Sequence, residues 1–181
     1  KNQILLKKKE SYSLFKEFSF SKAIDLLNFI IVEDKKDYMC FFLLGTSYLH
    51  IKNLDLSEKN LKTSIKLNKD YYDSAHNLGV VNQLKGNFTE AINLFIRALE
   101  LKPNSLGSLT QLAEVYEKTK SYDKAKQYYE TSLGIDNKNL KANKGMARIC
   151  IKFGYHKQGL QYLQKSTGLI RFNDKNFEII T

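Results

Sequence analysis

The sequence predicts an all-α protein built from repeated helical hairpins. Three observations support this fold class: the chain has a single proline, it has only nine glycines, and its pattern of apolar residues returns every 34 residues. Within each period the apolar residues recur at helical spacing, stop at a short polar break and then resume. With 181 residues, 43% of them hydrophobic, the chain is long and apolar enough to bury a sizeable core.

The repeat frame covers nearly the whole chain without an insertion. Shifting the most regular stretch, residues 72–105, by 34 residues in each direction produces five units. Their bounds are 4–37, 38–71, 72–105, 106–139 and 140–173. Since no Gly/Ser/Pro-rich stretch marks a boundary, we expect one domain over residues 1–181.

Three columns of the aligned repeats indicate how the helices pack. Column eight is small in every repeat: Ser11, Gly45, Gly79, Ala113 and Ala147. Column twenty is also small: Ala23, Ser57, Ala91, Ala125 and Gly159. Column twenty-four is large: Leu27, Leu61, Phe95, Tyr129 and Leu163. Small residues allow the two helices of a hairpin to approach closely, and the large residue is expected to pack between one hairpin and the next.

This pattern resembles the tetratricopeptide repeat. The third repeat carries the resemblance through Leu78-Gly79, Ala91, Phe95, Ala98 and Pro103. The fourth repeat carries it through Leu112, Ala113, Tyr116, Tyr122, Ala125 and Tyr129. The resemblance implies a right-handed superhelical solenoid of five helix-turn-helix repeats over 4–173. The departures are mostly in the terminal repeats, at Lys7, Glu10, Asn143, His156 and Arg171, with Asn82 in the third.

The last residues resemble the start of a sixth unit. Phe177 and Ile180 fall at columns four and seven, so residues 174–181 are expected to form a partial capping helix. Ends of such an array that stay uncapped expose apolar surface. Self-association through these ends is therefore also expected.

The resemblance implies a concave groove lined by the first helix of each hairpin, at columns two, five, six, nine, twelve and thirteen. The groove residues expected to bind a protein or peptide are Lys8, Tyr12, Phe42, Leu49, His76, Asn77, Gln111, Lys141, Lys144, Arg148 and Lys152. Phe42 and Leu49, with Met39, would anchor an apolar middle. The alternative is that neighbouring helices cover these three side chains.

The groove predicts an acidic partner at its C-terminal end. Lys141, Lys144, Arg148 and Lys152 recur at helical spacing, and ammonium and guanidinium groups form charge-assisted hydrogen bonds with carboxylates. The net charge of +10 fits such a partner. The alternative is a solvated basic helix face, together with a basic composition that has no binding role.

Chemistry by the chain itself is not expected. No motif for a nucleophile or a phosphate-binding loop is present, and the three histidines lack metal-ligand spacing, so we predict no enzyme activity, cofactor or metal. The groove lacks the Lys/Asn/Lys/Arg set with which some relatives clamp chaperone tails. RNA binding is disfavoured, because column five (Lys8, Phe42, His76, Thr110, Lys144) follows no code-like pattern. The remaining alternative is the repeat domain of a larger enzyme, such as a transferase or oxygenase.

The surroundings of the chain are predicted only broadly. Cys40 and Cys150 are too few for a disulfide framework, which favours a reduced, cytoplasmic location. No apolar run is long enough to span a membrane. The first ten residues lack a signal-peptide pattern, but the chain does not begin with Met, so a cleaved targeting signal stays open.

Overall fold

The computed structural model describes residues 2–167, 170–172 and 177–179, with side chains over 3–166. This part of the chain contains ten α-helices, and consecutive helices pack in pairs. The pairs are α1 (Asn2–Lys16) with α2 (Phe20–Glu33), α3 (Tyr38–His50) with α4 (Leu54–Leu67), α5 (Tyr72–Leu84) with α6 (Phe88–Leu101), α7 (Leu106–Lys118) with α8 (Tyr122–Ile135), and α9 (Leu140–Lys152) with α10 (His156–Thr167). Helices α3, α5, α7 and α9 begin 34 residues apart, as do all the second helices, so the predicted period is confirmed.

Each hairpin turn contains one residue with positive φ at the same column. These residues are Phe18, Lys52, Gly86, Lys120 and Gly154, with φ between 58° and 83°. The left-handed conformation ends the first helix and lets the next amides bond back to its last carbonyls, as Asn53 does to Tyr48 at 2.9 Å. Glycine adopts this conformation without the steric penalty that other residues incur.

Inside the hairpins the small residues of column eight also lie against the large residues of column twenty-four, a contact that the columns did not predict. A Cβ added at Gly45 would come within 2.7 Å of Leu61, and one at Gly79 within 2.7 Å of Phe95. The hydroxyl of Ser57 donates to the carbonyl of Gly45 at 2.7 Å, which is possible only because the helices are close. The helices of these hairpins therefore interlock through the predicted positions.

Two compact units make up the chain, residues 1–102 and 103–181. In the first unit, Leu61, Leu78, Val81 and Leu94 form one core cluster, which joins consecutive hairpins through the large residue of column twenty-four. In the second unit, Leu112, Val115 and Tyr129 are among the fully buried side chains. The single domain expected over 1–181 stays a prediction.

The C-terminal prediction was wrong where the structure describes it. Phe177–Ile179 forms a β-strand (β2) that pairs antiparallel with Ile170–Phe172 (β1), with Arg171 opposite Glu178. The expected helix over 174–181 is therefore absent at 177–179, and its other residues lie outside the described part. Phe and Ile favour strands, and eight residues are too few for a helix that lacks packing partners.

Candidate peptide-binding site

The predicted groove residues of the first unit lie on α1, α3 and α5, and those of the second unit on α7 and α9. The two sets are described separately. Each first helix presents a stripe of side chains to one side of its hairpin, because residues three and four apart share a helix face. What each stripe offers depends on which of its side chains are already paired.

Lys8 is paired within the protein. Its ammonium lies 2.8 Å from Asp34 and 2.6 Å from Asp37. Hydrogen bonds to these two carboxylates hold the pKa of Lys8 above its ordinary value. Asp37 also caps α3 by accepting from the amides of Met39 and Cys40. The charge of Lys8 is therefore neutralised by its own chain and is not offered to a partner.

The expected apolar anchors are partly covered. The ring of Phe42 meets the ring of Tyr71 edge-on, with centroids 5.0 Å apart. Leu49 packs against the core cluster that includes Leu61 and Leu78. Met39 packs against the cluster of α2 and α3. Much of their apolar surface stabilises the hairpins, so only a part of it remains for a ligand.

The polar groove residues of α5 contact neighbouring helices. The side-chain amide of Asn77 donates to the hydroxyl of Thr46 at 2.9 Å, which links α5 to α3. The ring of His76 lies 5.6 Å from that of Phe95. Tyr12 is different, because it is 47% exposed, with the ammonium of Lys16 lying 4.6 Å from the centroid of its ring. Tyr12 is thus the aromatic residue of this stripe that is most open to a partner.

In the second unit, Arg148 is held by a carboxylate that sequence reasoning missed. Its Nε and Nη2 donate to the two oxygens of Glu117, each at 2.8 Å. The phenol of Tyr129 donates to the same carboxylate at 3.0 Å. Hydrogen bonding to Glu117 raises the pKa of Arg148, and burial raises that of Tyr129. Glu117 and Arg148 both occupy predicted groove columns of adjacent repeats, and this placement could have indicated that they form a pair.

A glycine explains how Tyr129 reaches the groove. Tyr129 is fully buried, and a Cβ added at Gly145 would overlap its ring. Because column six of the fifth repeat is Gly, the ring passes α9 and its hydroxyl meets Glu117. The orientation of Arg148 is therefore set by a buried side chain of the preceding hairpin.

A cleft of about 680 Å³ lies between α7 and α9, and we call it the α7–α9 groove. It is lined by Glu114, Glu117, Lys118, Tyr122, Arg148 and Lys152. The ammonium of Lys152 lies 5.0 Å from the ring of Tyr122. Gln111 has a buried side-chain oxygen without a hydrogen-bond partner in the described part of the chain.

Two lysines of α9 have no side-chain partner in the described residues. Lys141 and Lys144 are exposed, and neither has an ion pair or side-chain hydrogen bond within residues 3–166. They follow one face of the helix that also carries Arg148 and Lys152. The structure therefore brings the four predicted basic residues onto one helix, with Arg148 already compensated.

Reactive chemistry has little support in the described residues. Burial, with the nearby carboxylate of Asp37, raises the pKa of the Cys40 thiol to about 12. Burial also raises the pKa of Cys150. Thiols held in this way are poor nucleophiles at neutral pH. No group of three or more His, Cys, Asp or Glu residues that could hold a metal occurs in the described chain, and no helix there could cross a membrane.

Comparison with known proteins identifies the repeat. The family model described as tetratricopeptide repeat matches residues 71–138. Anaphase-promoting complex subunit 3 of Schizosaccharomyces pombe is 27% identical over 154 residues, 85% of this chain and 23% of that protein. BBSome complex member BBS4 of Bos taurus is 29% identical over 136 residues, 75% of this chain and 26% of that protein. The chain thus spans about a quarter of the length of these relatives.

Solved structures share the fold. A crystal structure of MamA superimposes with a TM-score of 0.79 at 20% identity, covering 87% of this chain and 92% of that one. MamA from Desulfovibrio magneticus, from residue 41 to its end, superimposes with a TM-score of 0.84 at 14% identity, covering 93% and 96%. At these identities the likeness establishes the fold alone.

Proposed function

We propose that this chain, whose residues 71–138 match the tetratricopeptide-repeat model, is a non-catalytic scaffold that binds an acidic segment of a partner protein along α9. Lys141 and Lys144 carry the proposal, since they are exposed cations of one helix face without a partner in the described chain. A carboxylate brought to them forms charge-assisted hydrogen bonds without first breaking an internal ion pair.

The contrast with other basic groove residues supports this location. Lys8 is neutralised by Asp34 and Asp37, and Arg148 by Glu117. Lys152 lies beside Tyr122 and adds charge at the end of the α7–α9 groove. The free positive charge of the predicted groove residues is therefore concentrated on α9, next to a cleft that has room for a side chain.

The relatives are consistent with a role in an assembly. One is named as a subunit of the anaphase-promoting complex and the other as a member of the BBSome complex. A scaffold role requires binding surfaces and not a catalytic centre.

Binding of a labelled hexaglutamate peptide, followed by fluorescence anisotropy, tests the proposal. Lys141→Glu with Lys144→Glu should weaken binding by about tenfold or more, since it replaces two attractive charges with repulsive ones. The matched control is Lys59→Glu with Lys66→Glu, which makes the same charge change on exposed positions of α4. Equal loss of affinity in the two variants would mean that only net charge matters, and the proposed site would be wrong.

Self-association is a second candidate role, and the first hairpin favours it. Column three is buried in the later repeats, as at Cys40 and Ser74, where it faces the preceding hairpin. In the first repeat this column holds Leu6, which is 67% exposed. A second copy of the chain could cover this surface.

Sedimentation equilibrium over a range of concentrations tests this role. Wild-type protein should show reversible dimers at high concentration, and Leu6→Glu should remain monomeric. The control is Leu84→Glu, which alters a leucine on α5 that is 58% exposed. Monomeric wild-type protein at all concentrations would exclude self-association.

A further inference from the structure

A second cleft lies in unit 103–181; it shares Tyr122 and α9 with the α7–α9 groove, and its other lining residues belong to α8, α10 and the turn between α9 and α10. It has a volume of about 680 Å³ and is bounded by α8, α9 and α10, so we call it the α8–α10 cleft. Its floor is Met146, Ile149 and Cys150, which are 2–7% exposed. Its aromatic wall consists of Tyr122, Phe153, Tyr155 and Tyr162, and its polar rim consists of Asp123, Lys126, Glu130, Gln158, Gln161 and Lys165.

At the matching place in the first unit, the carboxylates are paired with the protein's own cation. Lys85, at the end of α5, reaches to Asp55 at 2.8 Å and Glu58 at 2.7 Å on α4. The salt bridges place its ammonium over the turn of the preceding hairpin, where it satisfies both carboxylates.

Two repeats later the carboxylate is kept and the cation is lost. Asp123 corresponds to Asp55, Phe153 to Lys85 and Lys126 to Glu58. Lys126 is compensated by Glu130 at 3.8 Å. Asp123 has no hydrogen bond or ion pair in the described chain, so the cleft holds a carboxylate without the lysine that its counterpart has.

The aromatic wall suits a cation with an extended apolar stem. Phe153 is 53% exposed and Tyr155 is 62% exposed, although both line the cleft. Lysine ammonium groups already lie over the rings of Tyr122 and Tyr162, 5.0 Å and 5.7 Å from their centroids, so the faces of these rings accept cations. A guanidinium group can stack on exposed rings and donate to a carboxylate at the same time, which an ammonium group does less well.

We propose that the α8–α10 cleft binds an arginine side chain of a partner protein. The guanidinium stacks on Phe153 and Tyr155 and donates hydrogen bonds to Asp123, in the place that Lys85 takes in the first unit. The methylene stem covers the apolar floor, as long cationic side chains commonly do. This site is separate from the acidic-segment site, because none of the four basic residues of α9 lines it and because it recognises the opposite charge.

Isothermal titration calorimetry with N-acetylarginine amide tests the proposal. We expect a saturable signal with a Kd of about 1 mM, as one buried side chain provides. The citrulline counterpart keeps the shape without the charge, and the norleucine counterpart keeps only the apolar stem, so both should bind at least about tenfold more weakly. Equal binding of the norleucine compound would show an apolar anchor site, and equal binding of the citrulline compound would show that the charge is not recognised. Either result, or the absence of arginine binding, would overturn the proposal.

Three variants locate the arginine. Asp123→Asn should weaken binding about tenfold, whereas Glu114→Gln, which removes a carboxylate of the α7–α9 groove, should leave it unchanged. Phe153→Lys with Lys126→Glu restores the residues that form the salt bridges of the first unit and should abolish binding, because the new lysine pairs with Asp123. Circular dichroism checks that this double variant folds, and the Asp123 and Glu114 pair decides the outcome if it does not. Unchanged binding by Asp123→Asn would overturn the assignment.

Discussion

Arg148 forms two hydrogen bonds of 2.8 Å with the carboxylate of Glu117, and the buried Tyr129 fixes that carboxylate with a third. The pair decides how much charge α9 offers to a partner. Since an acidic ligand has to compete with Glu117 for Arg148, the guanidinium contributes less to binding than the neighbouring lysines do.

Removing the charge of Glu117 should strengthen acidic-peptide binding. Glu117→Gln frees Arg148, so we expect the affinity for hexaglutamate to rise about three- to tenfold in fluorescence anisotropy. The control is Glu114→Gln, which makes the same charge change on the same helix without releasing a cation. If the two variants gain affinity equally, the release of Arg148 is not the cause.

The contact between Gly145 and Tyr129 should make column six of the fifth repeat intolerant of a side chain. Gly145→Ala is expected to lower the free energy of unfolding by about 1–3 kcal/mol, because the methyl group overlaps a fully buried ring. Urea denaturation measures the loss. Replacing Tyr129 with Leu in the same chain should recover part of it.

Gly134→Ala is the matched control for this prediction. Gly134 lies in α8, and an added Cβ would meet nothing within 4 Å. We expect this change to stabilise the protein by about 0.5–1 kcal/mol, since alanine loses less backbone entropy in a helix. Equal destabilisation by the two substitutions would contradict the packing argument.

Substitutions at equivalent positions of two hairpin turns should change the free energy of unfolding in opposite directions. Gly86→Ala should destabilise by about 1 kcal/mol, because φ is 81° and the cost is conformational, with open space around the Cβ. Lys52→Gly should have a smaller and opposite effect, since Lys52 already adopts a φ of 63°. Denaturation midpoints test both, and a stabilising Gly86→Ala would contradict the account.

The cluster of Lys8, Asp34 and Asp37 predicts a pH dependence of stability. The Lys8 hydrogen bond holds the pKa of Asp34 below 3.8. Burial opposes the shift of Asp37, but hydrogen bonds from Lys8 and Cys40 outweigh it, and its pKa is also lowered. Carboxylates of lowered pKa stabilise the fold above their unfolded pKa, and this contribution is lost as the pH falls through the folded values. The raised pKa of Lys8 means that its contribution is present below 10.5 and is lost as the pH rises through the folded value.

Lys8→Met tests this linkage. The stability difference between wild type and variant should be about 1 kcal/mol or less, because the cluster is partly exposed, and constant from about pH 5 to 9. It should shrink below about pH 4, where the carboxylates become protonated in the unfolded chain first. Lys9→Met, at an exposed neighbour without an ion pair in the described residues, should show no such dependence. A difference that stays constant down to pH 2 would contradict the proposed coupling.

The repeat frame and the packing of the hairpins could be predicted from the sequence. The close approach of Gly45 and Ser57 follows from the small residues of columns eight and twenty, whereas the contact of Gly45 with Leu61 inside one hairpin was not predicted. The placement of the basic residues on one face of α9 could also be predicted, since it depends only on helical spacing.

The side-chain partners of the basic groove residues could not be predicted from the sequence. Lys8 meets Asp34 and Asp37, and Arg148 meets Glu117, because of side-chain directions that column numbers do not specify. The strand at Phe177–Ile179 depends on pairing with Ile170–Phe172, a contact outside the repeat pattern. The ligand proposed for the α8–α10 cleft was inferred by comparing Phe153 with Lys85. The sequence alone does not suggest this comparison, because the salt bridges of Lys85 are visible only in the structure.

A chemical-shift map of the ¹⁵N-labelled protein titrated with hexaglutamate tests the acidic-segment site most directly. We predict that the largest amide shifts occur at Lys141, Lys144 and Arg148 on α9 and at the facing residues of α7, and that they diminish as salt is added. Shifts centred on other helices, or shifts of equal size across all exposed lysines, would contradict the proposal that this protein binds an acidic segment along α9.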